Sequence, residues 1–215
     1  MAEVAATAPT VTLYGFPQST FVRTARMTLA EKGVDYALEP IRPGTPEARE
    51  LHPFGRVPVL CHGELLIYET AAIARYVDEA FPGPALQPAR PAERAQMEKW
   101  ISIVGSYMDP VITRRIIIER LVAPRMGRRP NEATIRDALP QADRQLSVLE
   151  ADLARSEFLA GESISLADLF VYPIVFYIGY LPEARSLLGG REAIGRWRTR
   201  MDERPSCKTT VPQRA

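Results

Sequence analysis

Up to about residue 81 the apolar positions alternate between the short runs of strands and the three-to-four spacing of helices. Beyond that point only helical spacing remains. Val11–Tyr14 is a β-rich run closed by Gly15, Phe16 and Pro17. After that turn Val22, Ala25 and Leu29 recur at i, i+3 and i+7. This predicts a helix that starts near Ser19 or Thr20 and ends with Lys32 as a basic last-turn residue and Gly33 just past its end. Residues 36–41 read as a second strand, which Pro40 assigns to a sheet edge. Residues 42–51, rich in Pro, Gly and Glu, carry no period and read as irregular. Two apolar runs, 57–60 and 64–67, are joined by Cys61, His62 and Gly63, the spacing of a hairpin. Tyr68, Glu69 and Thr70 lead into a helix with the face Ala72, Ile73, Tyr76, Val77 and Ala80, stopping at Phe81-Pro82-Gly83. The order strand, helix, strand, irregular segment, strand, strand, helix predicts a small α/β sheet of mixed direction.

Residues 82–91 hold four prolines and a glycine, which marks a linker. Then Met97, Trp100, Ile101, Val104, Met108, Val111 and Ile112 form a helical stripe over about residues 92–122, with a kink expected at Pro110. Ile135, Leu139, Ala142, Leu146, Leu149 and Leu153 form another, which Pro140 either kinks or begins. Residues 165–180 are almost wholly apolar and are expected to form the buried axis of the second unit. Ser165 and Asp168 have the spacing of a capping box at its start, worth about 1–2 kcal/mol. The expected division is an α/β domain over residues 10–82 and an all-helical domain over 92–207. The first nine residues, without any period, read as a flexible tail.

Composition narrows the function without naming it. Apolar residues make up 46% and charged residues 25%, as in soluble globular proteins. Twenty-seven basic against 26 acidic residues leave a net charge of +1, so no global field holds nucleic acid or an anionic membrane. The basic cluster Arg114, Arg115, Arg120, Arg125, Arg128 and Arg129 reads as a solvated face or a dimer contact. Cys61 and Cys207, without a CxxC, suit a reducing compartment, and Cys61 reads as packing. With only His52 and His62 there is no His-rich metal site. No secretory signal and no membrane-length apolar run are evident, so a cytoplasmic protein is expected.

Two segments carry candidate chemistry. Pro17-Gln18-Ser19-Thr20 lies where a helix begins, and a helix N-terminus with a hydroxyl beside it stabilises an anion; either hydroxyl also suits a plain helix cap. The second is HPFGRVPV at 52–59 followed by YETAA at 68–72. A proline opening a buried strand cannot donate to a ladder, and a cis Pro58 would leave Val57 to pair its backbone with an extended ligand. Glu69 and Thr70 open another helix, where Glu69 suits an ammonium and Thr70 with free amides suits a carboxylate, or both simply serve the helix start.

In order and spacing, LYGFPQSTFVRTARMTLAEKGVDY, HPFGRVPVL, YETAAIARYVDEAFP and FLAGESISLADLFV resemble the cytosolic glutathione transferase family, most closely its serine-type, phi-like classes. The resemblance runs from Val11 to about Pro205. It implies an α/β thioredoxin-like N-terminal domain, an all-α C-terminal domain and a homodimer that takes glutathione as co-substrate, without a metal. It further implies that Ser19 hydrogen-bonds the glutathione sulfur, Val57 pairs with the cysteinyl unit ahead of cis Pro58, and Glu69 with Thr70 holds the γ-glutamyl end. The divergent segment 42–50 leaves the residues that grip the glycyl carboxylate unassigned, with Arg42 and Arg56 as the candidates. The chain departs from the family pattern at His52, where Asn is commoner, and at Thr70, where Ser is usual. The expected activity is attack of the glutathione thiolate on a small hydrophobic electrophile, held between the domains against the helix carrying Tyr107, Met108 and Ile112. The alternatives are a glutathione-dependent isomerase, dehalogenase, peroxidase or etherase, or a non-catalytic binding or scaffold protein.

Overall fold

The computed structural model describes residues 11–212, so the tail reading and Thr10 lie outside the described residues. The chain divides into two compact units, one running to Pro84 and resumed from Pro205, the other spanning Ala85–Arg204.

The first unit contains β1 (Val11–Tyr14), α1 (Thr20–Glu31), β2 (Tyr36–Glu39), α2 (Pro46–Leu51), β3 (Val59–His62), β4 (Leu65–Tyr68) and α3 (Thr70–Ala80). The sheet order is β2-β1-β3-β4. β1 runs parallel to β2 and antiparallel to β3, and β3 runs antiparallel to β4, giving the mixed sheet expected. Alternate residues of β1 and the stripes of α1 and α3 meet in a core of Val11, Leu13, Val22, Ala25, Leu29, Leu60, Ile73 and Val77. Gly15 makes the strand-to-helix passage possible, because a Cβ there would stand 2.4 Å from Val22 Cγ2.

Three local readings need correction. Residues 42–51 contain α2, capped by Thr45 through the Ala48 amide at 3.3 Å and opened by Pro46. With Ala48 its one buried residue, it shows no apolar stripe. The hairpin turn shrinks to Gly63 and Glu64, since Cys61 and His62 belong to β3 and pair with Leu66 and Leu65. Lys32 is no last-turn cation. It is the α1 C-cap, and its buried ammonium meets Asp78 Oδ1 at 3.1 Å and the carbonyls of Pro84 at 3.0 Å and Gly83 at 3.4 Å.

The chain rejoins this unit as a short helix, Pro205–Thr209, which with Thr210 lies along α1. Arg23, fully buried, donates to the Cys207 carbonyl at 3.1 Å, and Arg26 donates to the Thr210 carbonyl at 3.3 Å. Cys207 Sγ lies 3.8 Å from Met27 Sδ, and the Ser206 hydroxyl donates to Glu31.

The second unit is helical throughout: α4 (Pro91–Ile103), a wide-wound helix (Val104–Val122), α5 (Glu132–Leu153), α6 (Leu166–Ile178), α7 (Ala184–Leu188) and α8 (Glu192–Glu203). Winding changes at Val104, and Pro110 lies inside the wide-wound helix. The helix carries i to i+5 bonding, visible at its end where Ala123 N–H meets Ile118 O at 2.9 Å. Pro140 lies inside α5, whose Asn131 cap accepts the Thr134 amide at 3.0 Å. Helix α6 is the buried axis, with every residue but Tyr177 buried. Its capping box closes, and Asp168 does more than cap. Oδ2 accepts the Ser165 N–H and hydroxyl, each at 2.9 Å, while Oδ1 accepts Leu159 N–H at 3.0 Å and Trp197 Nε1–H at 2.9 Å. Burial pushes this carboxyl upward, and the four donors pull it back. Among the described residues no helix is long and apolar enough to cross a membrane.

Candidate functional site

The sheet register gathers the predicted residues at one end of the first unit. Tyr14, the last residue of β1, pairs with Glu39 of β2 and Val59 of β3, and Val59 pairs with Tyr68 of β4. The segments leaving this row are therefore neighbours at one sheet edge: residues 15–20, residues 40–42, Val57-Pro58 and Glu69-Thr70. No spacing along the sequence reveals this, because it depends on which strands pair.

Ser19 is the N-cap of α1. Its Oγ accepts the Val22 amide at 3.4 Å, which leaves the hydroxyl proton available to an acceptor outside the helix. Thr20, the other sequence candidate, is 7% exposed, whereas Ser19 is only half-buried. Geometry thus favours Ser19 as the accessible hydroxyl at the helix terminus.

The Val57-Pro58 peptide bond is cis. Among the described residues the Val57 N–H and carbonyl have no backbone partner, while its side chain packs against the unit's core. Glu69, the N-cap of α3, has φ +71°, the one left-handed non-glycine among the described residues. Its side chain forms no cap bond and is 66% exposed, whereas Thr70 behind it is buried. An exposed carboxylate thus stands in front of a helix start.

His52, entered in the sequence only as a departure from pattern, is 2% exposed and packs beneath Glu69. Its Nδ1 accepts the Phe54 amide at 3.1 Å, its ring lies 4.7 Å from that of Tyr68, and its Nε2 is 3.7 Å from Glu69 Oε1. Burial lowers its pKa, against the pull of Glu69 and with the push of Arg56. Arg56 itself is exposed. Arg42 lines a surface cavity of about 320 Å³ with Tyr14, Glu39, Pro40, Ile41, Thr45 and Glu47.

The family of the glutathione S-transferase N-terminal domain matches residues 13–85, and that of the C-terminal domain matches 112–205. Glutathione S-transferase 4 of Zea mays is 36% identical over 172 residues, 78% of this chain and 77% of its own. The chain belongs to the glutathione S-transferase family. Among solved structures, a glutathione S-transferase III in apo form is similar with a TM-score of 0.86 at 30% identity, over 95% of this chain and 96% of its own. A glutathione S-transferase I bound with lactoylglutathione is similar with a TM-score of 0.84 at 28% identity, over 94% and 98%. The glutathione transferase fold, a thioredoxin-like α/β unit with an all-helical one, is therefore that of this chain.

Tyr107, Met108 and Ile112 lie on the wide-wound helix of the second unit. Met108 and Ile112 are fully buried, and Tyr107 is 59% exposed. Half of the basic cluster is neutralised locally. Arg120 binds Glu132 and Glu183, which raise its pKa, Arg114 Nε meets Asp109 Oδ2 at 2.9 Å, and Arg128 lies 3.9 Å from Glu119. Cys61, half-buried, turns its thiol to the Gly63 carbonyl at 3.4 Å.

Proposed function

We propose that this glutathione transferase activates the thiol of glutathione with the Ser19 hydroxyl and directs the thiolate at a small hydrophobic electrophile. The observation that carries this reading is the accessible N-cap hydroxyl of Ser19, its lone pair engaged by the helix and its proton left to donate. The extended tripeptide would pair its cysteinyl unit with the Val57 backbone beside Pro58. The γ-glutamyl ammonium goes to Glu69 and its carboxylate to Thr70 and the α3 amides, while Arg56 and Arg42 serve the glycyl end.

A thiol of pKa about 8.5 is roughly 3% ionised at pH 7, and lowering that pKa by two units takes about 2.7 kcal/mol. A hydrogen bond to a charged sulfur supplies about 1.5–3 kcal/mol and a helix N-terminus about 0.3–1 kcal/mol, a combined range that brackets the required amount. The thiolate fraction then rises about 25-fold, and further acceleration comes from holding the electrophile against the sulfur. Calorimetric titration of glutathione, with ultraviolet absorbance reporting the bound thiol's pKa, tests the reading. The wild type is expected to bind glutathione with a lowered thiol pKa and Ser19→Ala to bind it without one. Absence of binding at millimolar glutathione would overturn the proposal.

The same reading includes a homodimer. Support comes from exposed apolar side chains on and beside edge strand β4: Phe54 at 74%, with Leu65, Leu66 and Tyr68 each about 40% exposed.

A further inference from the structure

The inference concerns His52 and rests on the glutathione reading above. The ring is almost wholly enclosed at the foot of Glu69, and its two nitrogens are occupied differently. Because Nδ1 accepts the Phe54 N–H at 3.1 Å, the single proton of the neutral imidazole resides on Nε2. Glu69 Oε1 lies 3.7 Å from that nitrogen. The rest of the ring is immobilised. Tyr68 covers it at 4.7 Å between centroids, Phe54 meets it edge-on at 5.9 Å, and its backbone N–H donates to Ala48 at 2.9 Å, closing α2.

We propose that His52 is a positioning residue for the amino end of glutathione, its Nε2–H holding the Glu69 carboxylate in the orientation that receives the γ-glutamyl ammonium. At 3.7 Å the contact is longer than a direct hydrogen bond. The exposed Glu69 side chain has the freedom to close it when the ligand arrives. A neutral donor suits this task better than a cation. An Arg or Lys here would neutralise the carboxylate and compete with the ligand's own charge, whereas a neutral imidazole aims the carboxylate and leaves its charge for the ammonium. Burial keeps the ring in that neutral form.

The test is a double-mutant cycle in the full chain with His52→Asn and Glu69→Gln, read by calorimetric Kd for glutathione and by KM and kcat. Asn at 52 keeps an acceptor for the Phe54 amide but does not reach Glu69, so it preserves the loop while removing the contact. His52→Asn is expected to raise the Kd and KM for glutathione about 5-fold and to leave kcat at saturating glutathione within about 2-fold. Added to Glu69→Gln it is expected to cause no further loss. Cysteinylglycine, which lacks the γ-glutamyl unit, is expected to bind wild type and His52→Asn equally. Wild-type affinity in His52→Asn, or multiplicative losses in the double variant, would overturn the role of His52 while leaving the glutathione reading in place. A wild type that binds no glutathione would overturn both.

Discussion

Ser19 has two duties that substitution can separate. As the N-cap it stabilises α1, and as a donor it is proposed to stabilise the thiolate. Ser19→Ala removes both, costing about 1 kcal/mol of stability and about 10- to 100-fold in kcat/KM. Asp caps a helix as well as Ser but sets a negative charge beside the sulfur. Ser19→Asp is therefore expected to match the wild type in denaturant midpoint while losing conjugation at least as severely as Ser19→Ala. Retained activity in Ser19→Asp would reduce the hydroxyl to a cap. His52 supplies a pH dependence of stability. Its native pKa lies below its ordinary 6.5, so the unfolded chain binds the extra proton first as the solution is acidified. Its contribution is complete above pH 6.5 and is lost as pH falls from there through the lowered native value. The groups facing the ring are Glu69, Arg56 and Tyr68. The wild-type denaturant midpoint should fall across that window more steeply than that of His52→Asn. Residue chemistry of this kind was partly legible in the sequence. A Ser at a helix start can be read from local spacing, but the partner of His52 lies 17 positions away and is brought there by strand pairing.

Elements with a strong period were legible, and those without one were not. The stripes of α1, α3, α5 and α6 follow apolar spacing, whereas α2 buries only Ala48 and is announced only by Thr45-Pro46 at its start. The β3–β4 turn shifted because His62 and Cys61 look like turn residues by composition although they pair in the ladder. The capping box of α6 was fully visible as Ser165 and Asp168. Its ties to Leu159 and Trp197 were not, since these come from a loop and from α8. Asp168→Ala leaves those buried donors without an acceptor and is expected to cost about 3 kcal/mol or more by denaturant unfolding, far above a lost cap alone. Gly15→Ala drives a Cβ into Val22 and should cost about 1–3 kcal/mol while displacing the start of α1. The accompanying readout is weaker glutathione binding, which an effect confined to the strand would not cause.

At the scale of the molecule, the division into an α/β unit and a helical unit follows from the loss of strand patterns beyond the proline-rich segment at 82–91. For the proposed homodimer, Phe54→Asp places a charge on the exposed apolar patch. It is expected to shift the sedimentation mass from two chains to one, with little change in monomer secondary structure. An unchanged dimer would move the interface elsewhere. The short helix Pro205–Thr209 has a consequence for the order of events during synthesis. The first 84 residues leave the ribosome long before residues 205–210, yet the fully buried Arg23 takes the Cys207 carbonyl and Arg26 takes that of Thr210. The α/β unit is begun before the helical unit and completed after it: its α1 face stays open until the whole helical unit has been translated, and an expressed fragment ending at Pro84 would keep it open permanently.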